Sequence, residues 1–520
     1  MYQACLSISE DLCQWCYDRT KSGAGELSER GSTCMNVSPT EECPLTKGKS
    51  YKYTLSTYCG DGLKFIISCF TILTISITTT LVLQILYADG TLQDKAGVHG
   101  AVATDYTNCS QIGTRMLRKG GNAIDAAVAA TICMAVVAPH KTGLGGGGYV
   151  MMYNHKERTN PVIVDFASNT IKDSFDGVRV PAVLRGLERA HSLKGRLSWS
   201  NVVEPSASLA KGGFVVSKEL ATQVSKSVDY EILYGHLSAG DTLKLNDLAA
   251  TLDAVASQGT NVLYNGSSAE TLLHDKLLFP RLENYEPDVY EAKRSSFYEH
   301  AVYYPAHVSL LESMIDALEN LGISSETAST IGTQIQVAEA LMNSSLLSLR
   351  MKRYVDKERY TQVTAMDWDD TYVCIITGLG APFGLGYMSG AGFLLDEAND
   401  DNNFSTFLPI IFHDERTSCG LRGVFGTDDV LIAGQLLYNI ILRRLNVSEA
   451  VEYPRYYFSS DGLLAVENDE KHSLDALVRD RLTFPAVVNS DSKSVNAIIK
   501  RRDLMSSHSD SRGGGLASRF

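Results

Sequence analysis

Hydrophobic positions divide the chain into three regimes. Residues 1–64 show no sustained period, are polar and rich in Ser, Thr, Gly and Cys, and read as a mostly disordered tail. Phe65–Tyr87 then runs for 23 residues without a charge and without an amphipathic stripe. At 1.5 Å per residue such a helix covers roughly 34 Å, enough to cross a ~30 Å hydrocarbon core with some tilt. It begins too far from the N-terminus for a cleaved signal peptide, so it reads as a retained signal anchor. After a linker at 88–96 the pattern changes to that of a folded domain.

There, Cys109–Lys119 places Ile112, Met116 and Leu117 on one helical face, and Gly120-Gly121 ends it. Asn122 is positioned to cap a second helix, Ala123–Val137, which is apolar on nearly every side and contains Asp125. It is too short for a membrane span and reads as a central buried helix. Tyr149–Asn154 and Val162–Phe166 read as paired strands, Tyr372–Ile376 as a strand, and Phe393–Leu395 as a further short strand. Val308–Leu321, Gly332–Leu349 and Val430–Leu445 read as helices. Strand pairs near both ends with helices between predict α+β layers. The run Gly143-Leu-Gly-Gly-Gly-Gly148 lacks the Gly-Lys-Ser/Thr ending and the strand–loop–helix order of a phosphate loop, and reads as a tight turn.

Charge and cysteines sharpen this. The net charge is −13 over 520 residues. An acidic chain is a poor partner for nucleic acid, whose affinity depends on Lys and Arg at phosphates. Lys47, Lys49, Lys52 and Lys64 precede the apolar run while Lys95 alone lies close behind it, which predicts a cytosolic tail and an extracellular C-terminal domain at the plasma membrane, a single-pass type II arrangement. The expected ectodomain carries −12 of the charge and five Asn-x-Ser glycosylation triplets, at Asn108, Asn265, Asn343, Asn403 and Asn446. Cys13-Gln-Trp-Cys16 in the tail has neither a second pair nor a nearby histidine, so it reads as reduced cytosolic thiols, and Cys59 is a candidate palmitoylation site. Four ectodomain cysteines are too few for a disulfide scaffold, and their pairing stays open. His140, His155 and His191 have no zinc-ligand spacing; no metal or other cofactor is expected.

Two blocks, Leu117–Ala130 (LRKGGNAIDAAVAA) and Ala138–Gly148 (APHKTGLGGGG), closely resemble the γ-glutamyltransferase (glutathione hydrolase) family. The resemblance continues at Val164-Asp-Phe166, Phe383-Gly384, Gly392–Leu395, Val451–Arg455 and Ser509–Gly514, from about Gly97 to the C-terminus. It implies a four-layer αββα sandwich of the N-terminal-nucleophile hydrolase type. A large-subunit-like region would cover 97–360 and a small-subunit-like region 361–520. Its implied chemistry is self-cleavage before a Thr. The freed α-amine, with a pKa of about 7.7–8.0, then serves as base for the hydroxyl that attacks glutathione or another γ-glutamyl compound.

The residues depart from the family's pattern. Aligned without a gap, the nucleophile position falls on Tyr360 and the following His on Gln362; Thr361 has the right chemistry one residue later, a slip that reverses side-chain facing in a strand. The carboxylate-clamping Arg becomes Ala167 and the Glu beside it Ser168; Gly378, Gly380 and Ala398 replace further contacts. Asp401, the Ser405-Thr406 pair and Gly426 followed by Thr427 fit the substrate-binding and oxyanion positions. Two readings follow: an active glutathione hydrolase using Thr361, or an ectodomain with a degenerate site, reduced or absent catalysis, and a protein partner that the sequence does not name.

Overall fold

A computed structural model describes residues 58–88, 99–168, 177–265, 282–349, 360–398, 404, 406–458, 464–467, 486–487 and 493–520. Contacts group the chain into two compact units, Met1–Gln84 and Ile85–Phe520.

A helix covers Tyr58–Ala88, longer than the expected 65–87 run, with Phe65, Phe70, Ile72 and Ile75 more than half exposed. Among the described residues, no helix is long and apolar enough to cross a membrane. The structure thus contains the expected helix without establishing it as a span.

The larger unit is built on two antiparallel sheets. In spatial order the first holds Ser518–Arg519, Gly100–Thr104, Tyr360–Asp367, Thr371–Gly378, Gly147–Asn154, Val162–Asp165 and Asp288–Glu291. The second holds Leu504–Ser509, Asn496–Arg501, Leu421–Thr427, Leu408–Asp414, His300–Tyr304 and Lys293–Phe297. Three apolar clusters fill the layers. One packs helices such as Ala123–Val137 and Val183–Lys194 on the first sheet. A second packs Ser309–Glu319 and Val430–Leu437 on the second sheet. The third, with Ala101, Met151, Cys374, Ile411 and Ile498, lies between the sheets. The order is helix, sheet, sheet, helix.

Helix Ala123–Val137 is buried at every position, as its uniformly apolar sequence requires. Asn122 Oδ1 accepts from Ile124 and Asp125 N–H, and the Asp125 carboxylate accepts in return from Asn122 N–H, a full capping box. Cys109 and Cys133 form a disulfide that ties this helix to Thr107–Arg118.

Two expectations are corrected. Phe393–Leu395 forms single bridges, Leu395 to Gly145 and Leu394 to Met388, and not a strand, because Gly384, Gly386 and Gly392 turn the chain repeatedly through positive φ. The helix expected over Val430–Leu445 is α-helical only to Leu437 and closes in a π-helical turn, Tyr438–Leu442.

Candidate functional site

The strand Tyr360–Asp367 decides the site by its alternation. Tyr360 and Met366 point into the space between the sheets, and Val363 and Ala365 point to the helices of the first sheet. Gln362 reaches across to the second sheet: its Oε1 accepts from Gly426 N–H at 3.1 Å and its Nε2 donates to Ser494 O at 2.8 Å. Thr361 lies on the opposite face. Its hydroxyl is 3.3 Å from Thr377 Oγ1, which in turn receives the Thr142 hydroxyl at 2.9 Å. Gln362 therefore meets Gly426 of strand Leu421–Thr427, Tyr360 shares its face, and Thr361 does not.

The position that would hold a nucleophile is packed. The Tyr360 hydroxyl donates to Ser494 O at 2.9 Å and its ring lies 5.9 Å from Phe407, which stacks on Phe404 at 4.9 Å. Tyr360, Gln362, Phe404, Phe407 and Thr427 are all buried. Ala167 joins the same inter-sheet cluster and its N–H donates to the Asp165 carboxylate; the Ser168 hydroxyl donates to the other Asp165 oxygen at 2.6 Å. Thr427 Oγ1 accepts from Asp429 N–H at 3.1 Å, so its hydroxyl serves the start of the next helix.

One cation does reach this region, from a part of the sequence that motif reading did not single out. Arg179 is fully buried, with its guanidinium 4.4 Å from the Phe404 ring and Nε 3.0 Å from Asp396 Oδ2. Asp396 Oδ1 accepts from Gly380 N–H at 2.7 Å. Burial pushes the Asp396 carboxyl up to about 6 even though Arg179 opposes the shift, and burial likewise lowers Arg179. The guanidinium is thus spent on an internal carboxylate. A second unexpected pair lies toward the helices: Lys141, buried, sits 2.8 Å from Glu219. Burial alone would raise the Glu219 pKa, but His140 and Lys141 outweigh it and hold the carboxyl below its usual range. A lysine amid Pro139–Leu144, an otherwise nearly uncharged stretch, was the sequence signal for it.

Of the remaining expected residues, Thr406 is exposed, while Asp401, Ser405 and Asn403 lie outside the described residues. Asn108, Asn265, Asn343 and Asn446 are exposed. Asn446 also caps helix Val447–Glu452 through its Oδ1. Among the described residues there is no group of three or more His, Cys, Asp or Glu that could hold a metal ion.

The family model for gamma-glutamyltranspeptidase matches residues 109–344, which include the capped helix and the glycine run. Over that stretch the chain matches the γ-glutamyltranspeptidase family. It is 35% identical over 232 residues to glutathione hydrolase 7 of Mus musculus, covering 40% of this chain and 34% of that one. It is 30% identical over 292 residues to glutathione hydrolase 5 proenzyme of the same species, covering 48% of this chain and 50% of that one. The matches thus span between a third and a half of these relatives' lengths. In fold, the chain is similar to cephalosporin acylase from Bacillus halodurans, with a TM-score of 0.66 at 17% identity, covering 80% of this chain and 95% of that one. That likeness concerns the mixed α/β architecture alone.

Proposed function

We propose that this chain is a membrane-anchored γ-glutamyltranspeptidase-family ectodomain of the N-terminal-nucleophile hydrolase class whose active site has been converted into core. It acts without γ-glutamyl transfer, as a binding or partner-regulating protein. One observation carries the reading: the Gly426 N–H, the donor that would face a developing oxyanion, already donates to the Gln362 side chain. An oxyanion hole works because its donors are aimed at charge that appears only in the transition state; a donor satisfied in the ground state by an internal amide is withdrawn from that role. Tyr360 adds to this, since its phenol is bonded to Ser494 O and held by a rigid ring away from its own α-nitrogen. Losing the Arg at position 167 further removes a bidentate carboxylate contact of about 2–5 kcal/mol in a desolvated site.

Placement in a membrane rests on the Tyr58–Ala88 helix. Its exposed apolar side chains need a cover, and its threonine hydroxyls at 71, 74 and 78–80 are satisfied within the helix. Thr78 donates to Thr74 O at 2.8 Å and Thr80 to Ser76 O at 2.7 Å. Lipid demands such internal satisfaction of polar groups.

The test is expression of the full chain in a secretory host, a denaturing gel, N-terminal sequencing, and hydrolysis of a chromogenic γ-glutamyl anilide. The expected result is one uncut chain and no turnover above the uncatalysed rate. A fragment beginning at Thr361, abolished by Thr361→Ala and accompanied by turnover, would replace this reading with an active glutathione hydrolase.

A further inference from the structure

Four aromatic side chains interlock the two sheets at the end of the sandwich away from Tyr360 and Gly426. Tyr153 and His155 come from the end of strand Gly147–Asn154 and the turn after it; Tyr303 and His413 come from the facing sheet. Tyr153 stacks on His413 with centroids 5.6 Å apart and 6° between planes, and on Tyr303 at 5.9 Å. His155 meets His413 edge-on at 5.4 Å.

Hydrogen bonding selects the tautomer that each ring takes when neutral. His155 Nε2 lies 2.8 Å from Ser418 O and His413 Nδ1 lies 3.1 Å from Asp414 O. Carbonyls only accept, so those nitrogens carry the protons. The other nitrogens, His155 Nδ1 and His413 Nε2, lie 3.3 Å from the Tyr153 hydroxyl and 3.4 Å from the Tyr303 hydroxyl, and in the neutral rings they accept from them. The surroundings are rich in cations whose partners are already taken. Arg158, from the turn after the first strand, bonds Ser418 Oγ. Arg294, from the strand beside Tyr303, pairs with Glu415, and Arg416 pairs with Glu299. Arg422 and Lys500 share Asp370. His300 lies on the Tyr303 strand, acted on by Arg444 and Arg501, and the Asp414 carboxylate is held by the Arg416 N–H and the Thr417 hydroxyl.

We propose that this four-ring stack is an acid-sensitive clasp: proton uptake at His413 places a charge between the sheets and opens this end, while the opposite end stays closed. Burial, assisted by His155, Arg294 and His300, holds His413 below its ordinary value of about 6.5, with only the Asp414 carbonyl opposing among the hydrogen-bond partners. The Tyr153 face attracts an imidazolium and recovers part of the cost, but the net direction remains downward. A histidine whose folded pKa is lowered stabilises fully above about 6.5, where both states are neutral. That contribution is lost as pH falls through the folded value, because the opened state takes the proton first.

The experiment is hydrogen exchange by mass spectrometry on the full chain in detergent, at about pH 7.5 and about pH 5, corrected for intrinsic rates. Protection across 150–156 and 410–420 should fall roughly tenfold at the lower pH, with 360–366 and 424–427 unchanged. His413→Phe keeps a stacked ring without titrating nitrogens and should abolish the difference; His413→Asn, a small neutral amide, is read the same way if the Phe variant does not fold. Unchanged protection in the natural chain, a loss spread evenly over both ends, or the same local loss in a folded variant each overturns the proposal.

Discussion

Gln362 is where one side chain sets the chemistry of its neighbours. Its amide satisfies a backbone donor on the second sheet and a backbone acceptor, Ser494 O, just before the neighbouring strand Asn496–Arg501, so both partners are closed to any ligand. The same logic governs Asp370, at φ +63 in the Asp367–Thr371 turn. Its Oδ2 accepts from Arg422 at 3.0 and 2.7 Å, and its Oδ1 accepts from Lys500 at 3.1 Å and from the Tyr372 hydroxyl at 3.0 Å. Burial would raise this carboxyl, but Arg422 and Lys500 outweigh burial and hold it below the usual range. Asp370→Asn leaves a buried guanidinium short of its counter-charge and is expected to cost about 3 kcal/mol near pH 7. A depressed carboxylate stabilises above its unfolded value of about 3.9 and loses that contribution as pH falls. The gap between variant and natural chain in urea unfolding should therefore shrink toward pH ~3; a constant gap would remove the charge from the explanation. Neither role was legible in the sequence. A one-residue ambiguity between Tyr360 and Thr361 was visible, but which of them shares the face of Gln362 depends on strand facing, and Asp370 reads simply as a turn aspartate.

Elements carried more of their structure in the sequence. The uniform burial of Ala123–Val137 follows from its composition, and its cap from Asn122 and Asp125. The glycine run was only half legible. It reads as a turn, yet Gly147 and Gly148 open a strand, and several of these glycines are demanded by close approach: a Cβ on Gly146 would strike the carbonyl of Gly378, and one on Gly148 that of Ile376. These contacts let the strand lie flush against Thr371–Gly378, a partner more than two hundred residues away that local pattern does not reveal. Gly146→Ala should therefore destabilise by at least about 2 kcal/mol, because backbone cannot yield as a side chain can. Gly143→Ala, where a Cβ meets nothing within 4 Å, should fall within about 0.5 kcal/mol of the natural chain. Thermal unfolding of the pair checks this, and equal losses would refute the close-approach account. The Cys109–Cys133 bond was also hidden, since four cysteines allow several pairings.

For the whole molecule, family and layering were legible because both rest on local motifs and periodicity. Closure of the site was not, because Arg179, Phe404, Phe407 and Ser494 converge from distant segments. What remains is the Tyr58–Ala88 helix, whose apolar side chains join none of the three apolar clusters among the described residues. The three apolar clusters of the Ile85–Phe520 unit are built from its own described residues, whereas Phe65, Phe70, Ile72 and Ile75 on the Tyr58–Ala88 helix are exposed. Four large apolar side chains left in water forfeit roughly 1.5–3 kcal/mol each relative to full burial, so a cover for this helix is strongly favoured. Lipid suits it, because its threonine hydroxyls return to its own carbonyls. The full chain should therefore stay with the membrane through alkaline carbonate washing and leave it only in detergent. A chain beginning at His99, placed behind a cleavable secretion signal, should be secreted and soluble, with the same unfolding temperature. Release of the full chain by carbonate would show that a protein surface, and not lipid, covers the helix; aggregation of the shortened chain would show that the helix completes the fold.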